Sequence, residues 1–256
     1  MSRQIETDVA IIGAGTGGLS ARRAAEKEGA RTLLIEGGPY GTTCARVGCM
    51  PSKLLIAAAD AAHAARTAGG FGVVVPEVRV DGKAVLKRVR SERDRFVGFV
   101  VESTEGIDAA HRLRGRARFE EPTRLTVELS DGPVQVDARA VVIATGSTPF
   151  VPEVLHGLGD RLLTSDGIFE IDDLPESVAV IGTGIVGLEL GQAFARLGVR
   201  VVVLGGDRTL AGLSDTVVRT LVSLHVLVRP DGATPRRVQP PRRQGRSSPF
   251  TNRSTT

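Results

Sequence analysis

The stretch Asp8-Val-Ala-Ile-Ile-Gly-Ala-Gly-Thr-Gly-Gly18 decides the fold class of this chain of 256 residues. Its apolar run, Val9 to Ile12, is typical of a strand buried on both faces of a parallel sheet. The glycines that follow permit a tight turn, close approach of the backbone to a ligand, and close packing of the next helix. We predict a helix at residues 19–28, stopped by Gly29, and a second strand at residues 31–35. The stretch therefore opens a βαβ unit.

An acidic residue at the end of the second strand indicates what this turn binds. Glu36 stands where a carboxylate can accept hydrogen bonds from a ribose hydroxyl. Gly13, Gly15 and Gly18 bring backbone amides at the helix N-terminus toward a pyrophosphate. A glycine motif alone is weak evidence, but the surrounding strand, helix and acidic residue make it specific. We therefore predict a dinucleotide site at these four residues.

The same pattern returns near residue 180. The sequence predicts a buried strand at 178–181, a glycine turn at Gly182, Gly184 and Gly187, a helix at 188–197 and a strand at 199–204. The acidic residue expected after this strand is missing, and Gly205 stands there. Asp207 remains a candidate for a ribose contact and Arg208 for a 2′-phosphate, so NADH and NADPH both stay open.

Between the two units the sequence predicts two helices and several short strands. The helices cover residues 52–67, opened by Pro51, and 81–105. Strands are predicted at 117–119, 125–129, 134–136 and 140–143, with a hairpin turn at Asp131-Gly132. The last strand runs into Ala144-Thr-Gly146. The alternation of strands and helices predicts an α/β fold.

Composition argues against several classes of function. No apolar run approaches the ~20 residues that span a bilayer, and the N-terminus has no signal-peptide core. We therefore expect a cytoplasmic protein without a membrane partner. Residues 229–256 hold seven Arg and one Asp, whereas the rest of the chain has a net charge of −2. This Pro- and Arg-rich tail is predicted to be disordered, and we disfavour nucleic-acid binding through it.

The two cysteines of the chain lie in Gly41-Thr-Thr-Cys-Ala-Arg-Val-Gly-Cys-Met-Pro-Ser-Lys53. In a regular helix, residues five apart point about 140° away from each other, so a bridge requires an irregular backbone, which Gly48 and Pro51 permit. A helix N-terminus nearby should lower the pKa of a thiol. In a reducing compartment such a pair is catalytic or metal-binding more often than structural, and a metal would need more Cys or His at ligand spacing. Two unrelated buried thiols are the alternative.

Together these residues resemble the pyridine nucleotide–disulfide oxidoreductases, flavoenzymes that include dihydrolipoamide dehydrogenase, mercuric reductase and glutathione reductase. The resemblance covers about residues 5–228, and its most specific part is 43–53. The Pro-Ser-Lys ending of that part is most similar to dihydrolipoamide dehydrogenase or mercuric reductase. Ala144-Thr-Gly146 matches the strand-end motif of the family, and residues 164–175 match the segment that leads into the nicotinamide domain.

The resemblance implies a role for each matching residue. Cys44 would attack the substrate disulfide, and Cys49 would lie beside the flavin. Lys53 would pair with Glu189, which on sequence alone reads as a solvated helix carboxylate. The residues implied in FAD binding are Gly13, Gly15, Gly18, Glu36 and Gly146, and those implied in NAD or NADP binding are Gly182, Gly184 and Gly187. Electrons would pass between NAD(P)H, FAD and the Cys44–Cys49 pair.

Two residues depart from the family pattern in the cysteine segment. Thr42 stands where the family has a second glycine, and Arg46 stands where it has asparagine. Neither change removes a reacting atom. The resemblance therefore still implies a disulfide or dithiol substrate, of lipoyl type or another small molecule.

The resemblance also implies a domain layout. We expect a Rossmann-like FAD-binding domain with a parallel sheet and β-meander at 1–150, a partial Rossmann-like NAD(P)-binding domain at 151–228, and the tail at 229–256. The family is homodimeric through a C-terminal domain that carries a catalytic His and a Glu five residues later. None of the four histidines here has that Glu, which predicts a chain truncated by a frameshift, without the dimer interface and with little activity. A non-catalytic nucleotide-binding remnant, or another disulfide reductase of the family such as mercuric reductase, remains an alternative.

Overall fold

The structure, a computed structural model, describes residues 3–205 and Gly212. Asp207, Arg208 and the tail at 229–256 lie outside the described residues. The strands are β1 (Arg3–Ile12), β2 (Thr32–Glu36), β3 (Arg112–Arg114), β4 (Arg116–Glu121), β5 (Arg124–Leu129), β6 (Gly132–Ile143), β7 (Ser177–Ile181) and β8 (Arg200–Leu204). The α-helices are α1 (Thr16–Lys27), α2 (Thr43–Arg46), α3 (Cys49–Thr67), α4 (Gly82–Glu105) and α5 (Ile185–Arg196). Short 3-10 turns cover Ala68–Phe71, Ala109–His111, Glu153–Arg161 and Ile168–Glu170.

Six strands form the main sheet in the order β3-β2-β1-β6-β5-β4. Strands β3, β2, β1 and β6 run parallel, and β6, β5 and β4 form an antiparallel meander. Ile11 of β1 and Leu34 and Ile35 of β2 are at most 1% exposed. The predicted α/β fold class, with a parallel sheet and a meander, is confirmed.

Strand β6 corrects one prediction. The sequence predicts two strands, at 134–136 and 140–143, but they are one strand of 12 residues. The polar interruption stays in the strand because Asp137 has partners on both neighbours. Its carboxylate accepts hydrogen bonds from Arg124 Nε on β5 and Gln4 Nε2 on β1, both at 2.7 Å. The predicted hairpin is present, with Leu129 paired to Gly132, whose φ of +120° suits glycine.

The second βαβ unit consists of β7, α5 and β8, with β7 parallel to β8. The prediction of a buried strand is wrong for β7, whose residues alternate between exposed and half-buried. Within the described residues only one face of this two-stranded sheet is covered, by α5. The other face leaves Ile181, Val202 and Leu204 more than half exposed.

Helix α3 packs against both α4 and α5 and so contacts the second βαβ unit. Its residues Leu55 and Ala59 pack into one apolar core with Leu86 of α4, Phe169 and Phe194 of α5. Each of these side chains is at most 2% exposed. Because these buried side chains interdigitate, they fix the position of α5 relative to α3. The predicted domain boundary at residue 150 stays a prediction.

Within residues 3–205 no helix is both long enough and apolar enough to cross a bilayer.

Candidate dinucleotide and redox site

The first glycine turn is shaped by two close contacts and one open position. A Cβ on Gly13, where φ is +109°, would lie 2.1 Å from the Ala144 carbonyl oxygen. A Cβ on Gly18 would lie 1.8 Å from the Gly13 carbonyl oxygen, so both positions exclude a side chain. Gly15, the N-cap of α1, has no neighbouring atom within 4 Å of that point. The open space in front of Gly15 is where a pyrophosphate could approach the amides of α1.

Glu36 lies beside this turn. Its Oε2 accepts a hydrogen bond from the Ala14 amide at 2.8 Å, and its Oε1 accepts one from the Gly38 amide at 2.6 Å. A carboxylate has about four acceptor sites, so two amide bonds orient Glu36 and leave capacity for a ribose hydroxyl.

Gly146 lies on the same edge of the sheet. It follows β6, is exposed and has a φ of +72°. The Ala144 amide donates to the Ile12 carbonyl oxygen at 2.8 Å, which ties this loop to the end of β1. The structure therefore brings the glycine turn, Glu36 and the Gly146 loop to one edge, where the parallel strands β1, β2 and β6 end.

The backbone between the two cysteines is irregular, as their spacing predicts. Cys44 lies in the single turn of α2, which ends at Arg46, and Cys49 is the first residue of α3. Gly48, with φ −116° and ψ −114°, separates the two helices. Both cysteines are free thiols and exposed, which does not fit the alternative of two buried, unrelated thiols.

The two thiols interact directly. A hydrogen bond with the Cys49 side chain raises the pKa of the Cys44 thiol above its usual range, and partial burial and the charge of Cys49 act in the same direction. A backbone hydrogen bond from Cys49, the first residue of α3, lowers this pKa as expected near a helix N-terminus, but the raising effects are larger, so the predicted net lowering is wrong for Cys44. The reason is that a proton shared with a neighbouring sulfur is harder to remove than one exposed to water.

Lys53 and Glu189 meet across α3 and α5. The Lys53 Nζ lies 2.8 Å from the Glu189 Oε2, with side chains 59% and 39% exposed. An exposed pair of this kind contributes little to stability, so its position matters more than its energy. Lys53 lies one helical turn after Cys49, so the pair is held close to the thiols.

A cavity of about 470 Å³ connects the start of α1 to the cysteines. It is lined by Thr16, Leu19, Arg23, Thr42, Cys44, Ala45, Cys49, Met50, Lys53, Phe96 and Val100. Sequence reasoning missed several of these residues. Thr16, Leu19 and Arg23 share one face of α1, which helical periodicity could have shown. No local signal places Phe96 and Val100 of α4 in this cavity.

Thr42 is a further residue whose state the sequence did not show. Its φ of +57° and ψ of 147° make it the single non-glycine residue with positive φ in the described part of the chain. Its Oγ1 accepts a hydrogen bond from the Ala45 amide at 3.1 Å and so caps α2. This conformation is one that glycine adopts more readily, at the position where the family has glycine.

The second glycine turn repeats the first. The Gly182 amide donates to the Leu204 carbonyl oxygen at 2.7 Å, and a Cβ on Gly187 would lie 2.6 Å from the Gly182 carbonyl oxygen. Gly184 is the N-cap of α5, with no atom within 4 Å of the point where its Cβ would be. Gly184 and Gly187 thus lie as Gly15 and Gly18 do, whereas Gly182 shares the positive φ of Gly13 but has no atom within 4 Å of its Cβ position.

In the described part of the chain, no group of three or more His, Cys, Asp or Glu could hold a metal ion.

The sequence model of the pyridine nucleotide-disulphide oxidoreductases matches residues 7–226, most of the chain. The chain belongs to this family. Dihydrolipoyl dehydrogenase 3 of Pseudomonas aeruginosa is 37% identical over 220 residues, covering 84% of this chain and 46% of the relative. Mercuric reductase of Streptomyces lividans is 40% identical over 201 residues, covering 76% and 41%. The predicted family is therefore confirmed, and both kinds of enzyme that the Pro-Ser-Lys ending favoured are among its similar relatives.

Solved structures show the same fold. The HOCl-induced flavoprotein disulfide reductase of Escherichia coli, in its Cu(II) complex, superposes with a TM-score of 0.70 at 22% identity, covering 87% of this chain and 47% of that one. This pyridine nucleotide-disulphide oxidoreductase chain thus spans about half the length of the relatives that it matches.

Proposed function

We propose that this chain supplies the FAD site and the redox dithiol of a disulfide reductase of the dihydrolipoyl dehydrogenase type. The observation that carries the proposal is that one cavity joins the start of α1 to Cys44, Cys49 and Lys53. The open space at Gly15 and the oriented carboxylate of Glu36 fit a dinucleotide such as FAD. Bound there, FAD would exchange an electron pair between a nicotinamide cofactor and the cysteine pair.

Each residue then has a role in the proposal. Gly13, Gly15 and Gly18 allow the pyrophosphate to approach, and Glu36 binds the ribose. Gly146 borders the same site. Lys53, held by Glu189, places a positive charge beside the cofactor and the thiols. In the second turn, Gly182, Gly184 and Gly187 hold NAD or NADP.

Both thiols are exposed, and we assign the exchange with substrate to Cys44 because it lies in the single turn of α2, outside the long helix α3 that begins at Cys49. After Cys44 loses its proton to solvent, its thiolate attacks one sulfur of a substrate disulfide, which breaks the S–S bond, forms a mixed disulfide and releases the first substrate thiolate, which takes up a proton from solvent. The sulfur of Cys49 then attacks Cys44, which releases the second thiol and leaves a Cys44–Cys49 disulfide. The reverse sequence oxidises a dithiol of the lipoyl type.

The substrate, the partner subunit and the compartment of the whole protein are part of the same proposal. A lipoyl-type or other small disulfide is the substrate we propose for the cavity, whose lining includes both exposed thiols. We propose the homodimer of the family pattern only for a protein that carries the C-terminal interface domain. A reducing compartment such as the cytoplasm would keep both thiols ready for exchange.

The test is the visible spectrum of the 256-residue chain after reconstitution with FAD. We expect a yellow protein that develops a long-wavelength band on two-electron reduction, from a Cys49 thiolate beside the flavin. The variant Cys49→Ser should bind FAD without this band, whereas the matched variant Cys44→Ser should show it without added reductant. A chain that stays colourless would contradict the proposal and support a remnant that binds nucleotides without catalysis.

A further inference from the structure

The two glycine turns of this chain can be compared residue by residue, because they share one hydrogen-bond register. In each turn the first glycine donates its amide to the last apolar residue of the neighbouring strand. Gly13 donates to Ile35 and Gly182 donates to Leu204, both at 2.7 Å. Matching positions lie 169 residues apart in both cases. The spacing is therefore unchanged along the whole βαβ unit.

The same spacing pairs Ala14 with Thr183 and Glu36 with Gly205, and here the two turns differ. In the first turn the small Ala14 leaves room for Glu36, whose carboxylate accepts a hydrogen bond from the Ala14 amide at 2.8 Å. In the second turn a Cβ on Gly205 would lie 2.6 Å from Thr183 Cγ2 and 3.1 Å from Thr183 Oγ1. The threonine thus occupies the space that an acidic side chain would need.

The backbone at Gly205 does not itself require glycine. Gly205 does not have a positive φ, so residues other than glycine can adopt its backbone conformation. The neighbour that excludes a side chain there is the side chain of Thr183. The missing carboxylate is therefore a property of the pair Thr183 and Gly205 together.

We propose that the second turn binds NADP(H) at least as readily as NAD(H). A carboxylate at the position of Gly205 would accept a hydrogen bond from the 2′-hydroxyl of NAD(H) and repel the 2′-phosphate of NADP(H). The Thr183–Gly205 pair removes both effects at this position. The inference rests on the proposed function, because it assumes that the second turn holds a nicotinamide dinucleotide.

The first measurement is calorimetric titration of the 256-residue chain, reconstituted with FAD, with NADPH and with NADH. We expect the Kd for NADPH to be equal to or lower than that for NADH. A Kd for NADH about tenfold lower than that for NADPH would overturn this inference alone, since a carboxylate from elsewhere would then select the ribose. Failure to bind either dinucleotide would overturn both the inference and the nicotinamide part of the proposed function, whereas FAD reconstitution reports separately on the first turn.

The second measurement introduces the residue pair of the first glycine turn into the second glycine turn. The double variant Thr183→Ala/Gly205→Glu recreates the Ala14 and Glu36 pair, and we expect the ratio of Kd values to shift about tenfold toward NADH. The matched control Thr183→Ala opens the space without adding charge and should leave the ratio within about twofold. If the folded double variant binds both dinucleotides with an unchanged ratio, the inference is wrong.

Discussion

Thr42, two residues before Cys44, has a backbone conformation that favours glycine. Its φ of +57° is unfavourable for a β-branched side chain, whereas its hydroxyl caps α2 through the Ala45 amide. Strain of this kind costs about 1–3 kcal/mol, and a lost cap costs about 1 kcal/mol when alanine replaces threonine but only a few tenths when glycine does. Strain and capping therefore oppose each other at one residue.

We expect Thr42→Gly to raise the free energy of unfolding by about 1 kcal/mol, because relief of strain outweighs the lost cap and the added chain entropy. Thr42→Ala should lower it by about 1 kcal/mol, because it loses the cap and keeps the strain. Urea denaturation of the three proteins measures the order of stability. A glycine variant less stable than the parent would show that the strain is negligible.

The pH dependence of Cys44 follows from its contact with Cys49. The raised pKa keeps Cys44 protonated in the folded state above about pH 8.5, the usual value for a free thiol. Its contribution to stability is thus fully present below that pH and is lost as the pH rises through the folded pKa. Alkylation of Cys44 by iodoacetamide, followed by mass spectrometry, should have a higher pH midpoint than a free thiol.

The variant Cys49→Ala removes the partner of this hydrogen bond. We expect the alkylation midpoint of Cys44 to move to lower pH in that variant, toward the value of an isolated thiol. Equal midpoints in the parent and the variant would mean that the two thiols are not in contact in solution.

At the scale of elements, two glycines of the turn between β1 and α1 have different roles: Gly18 is needed for packing and Gly15 for binding. Gly18→Ala places a methyl group 1.8 Å from a backbone oxygen, so we expect a loss of about 3 kcal/mol in the free energy of unfolding. Gly15→Ala meets no atom within 4 Å and should change stability by less than about 1 kcal/mol. The same alanine should weaken FAD binding about tenfold or more, because it fills the approach to the pyrophosphate.

Thermal melts of the unliganded proteins and FAD fluorescence titrations distinguish the two variants. A Gly15→Ala protein that binds FAD as tightly as the parent would contradict the placement of the pyrophosphate at this turn.

How far the sequence predicts each element depends on whether the signal is local. The glycine turns, both βαβ units and the hairpin at Gly132 were predictable, because runs of apolar residues and glycines at turns are visible in the local sequence. The continuity of β6 was not, since Asp137 reads as an interruption until its partners Arg124 and Gln4 are known. Similarly, Phe96 reaches the cavity through the packing of α4, which a local pattern does not record.

At the scale of the whole molecule, α3 packs against both α4 and α5, and the two units share one core. Phe194 is 2% exposed within this core, and its replacement by alanine should cost about 3–5 kcal/mol. We expect Phe194→Ala to speed amide hydrogen exchange in α3 as well as in α5. Val202, 58% exposed on β8, is the matched control, and Val202→Ala should change stability by no more than about 0.5 kcal/mol.

If α3 keeps its full protection in Phe194→Ala, the two units unfold independently. The sequence could not show this coupling, because α3 reads only as an Ala- and Leu-rich helix. Which of its faces contacts α5 depends on tertiary packing, and the same packing brings Glu189 to Lys53.

The pairing of β1 with β6 has a consequence for how the chain is made. Arg3 pairs with Val134 and Ile12 with Ile143, so β1 cannot pair with β6 until residues more than a hundred positions later have been synthesised. At about 5–20 residues per second, a ribosome takes on the order of 10 s to deliver them. During that interval the apolar strand Val9 to Ile12 has an unfilled edge, and such non-local pairing is intrinsically slow. The nascent protein is therefore expected to depend on chaperones until β6 leaves the exit tunnel.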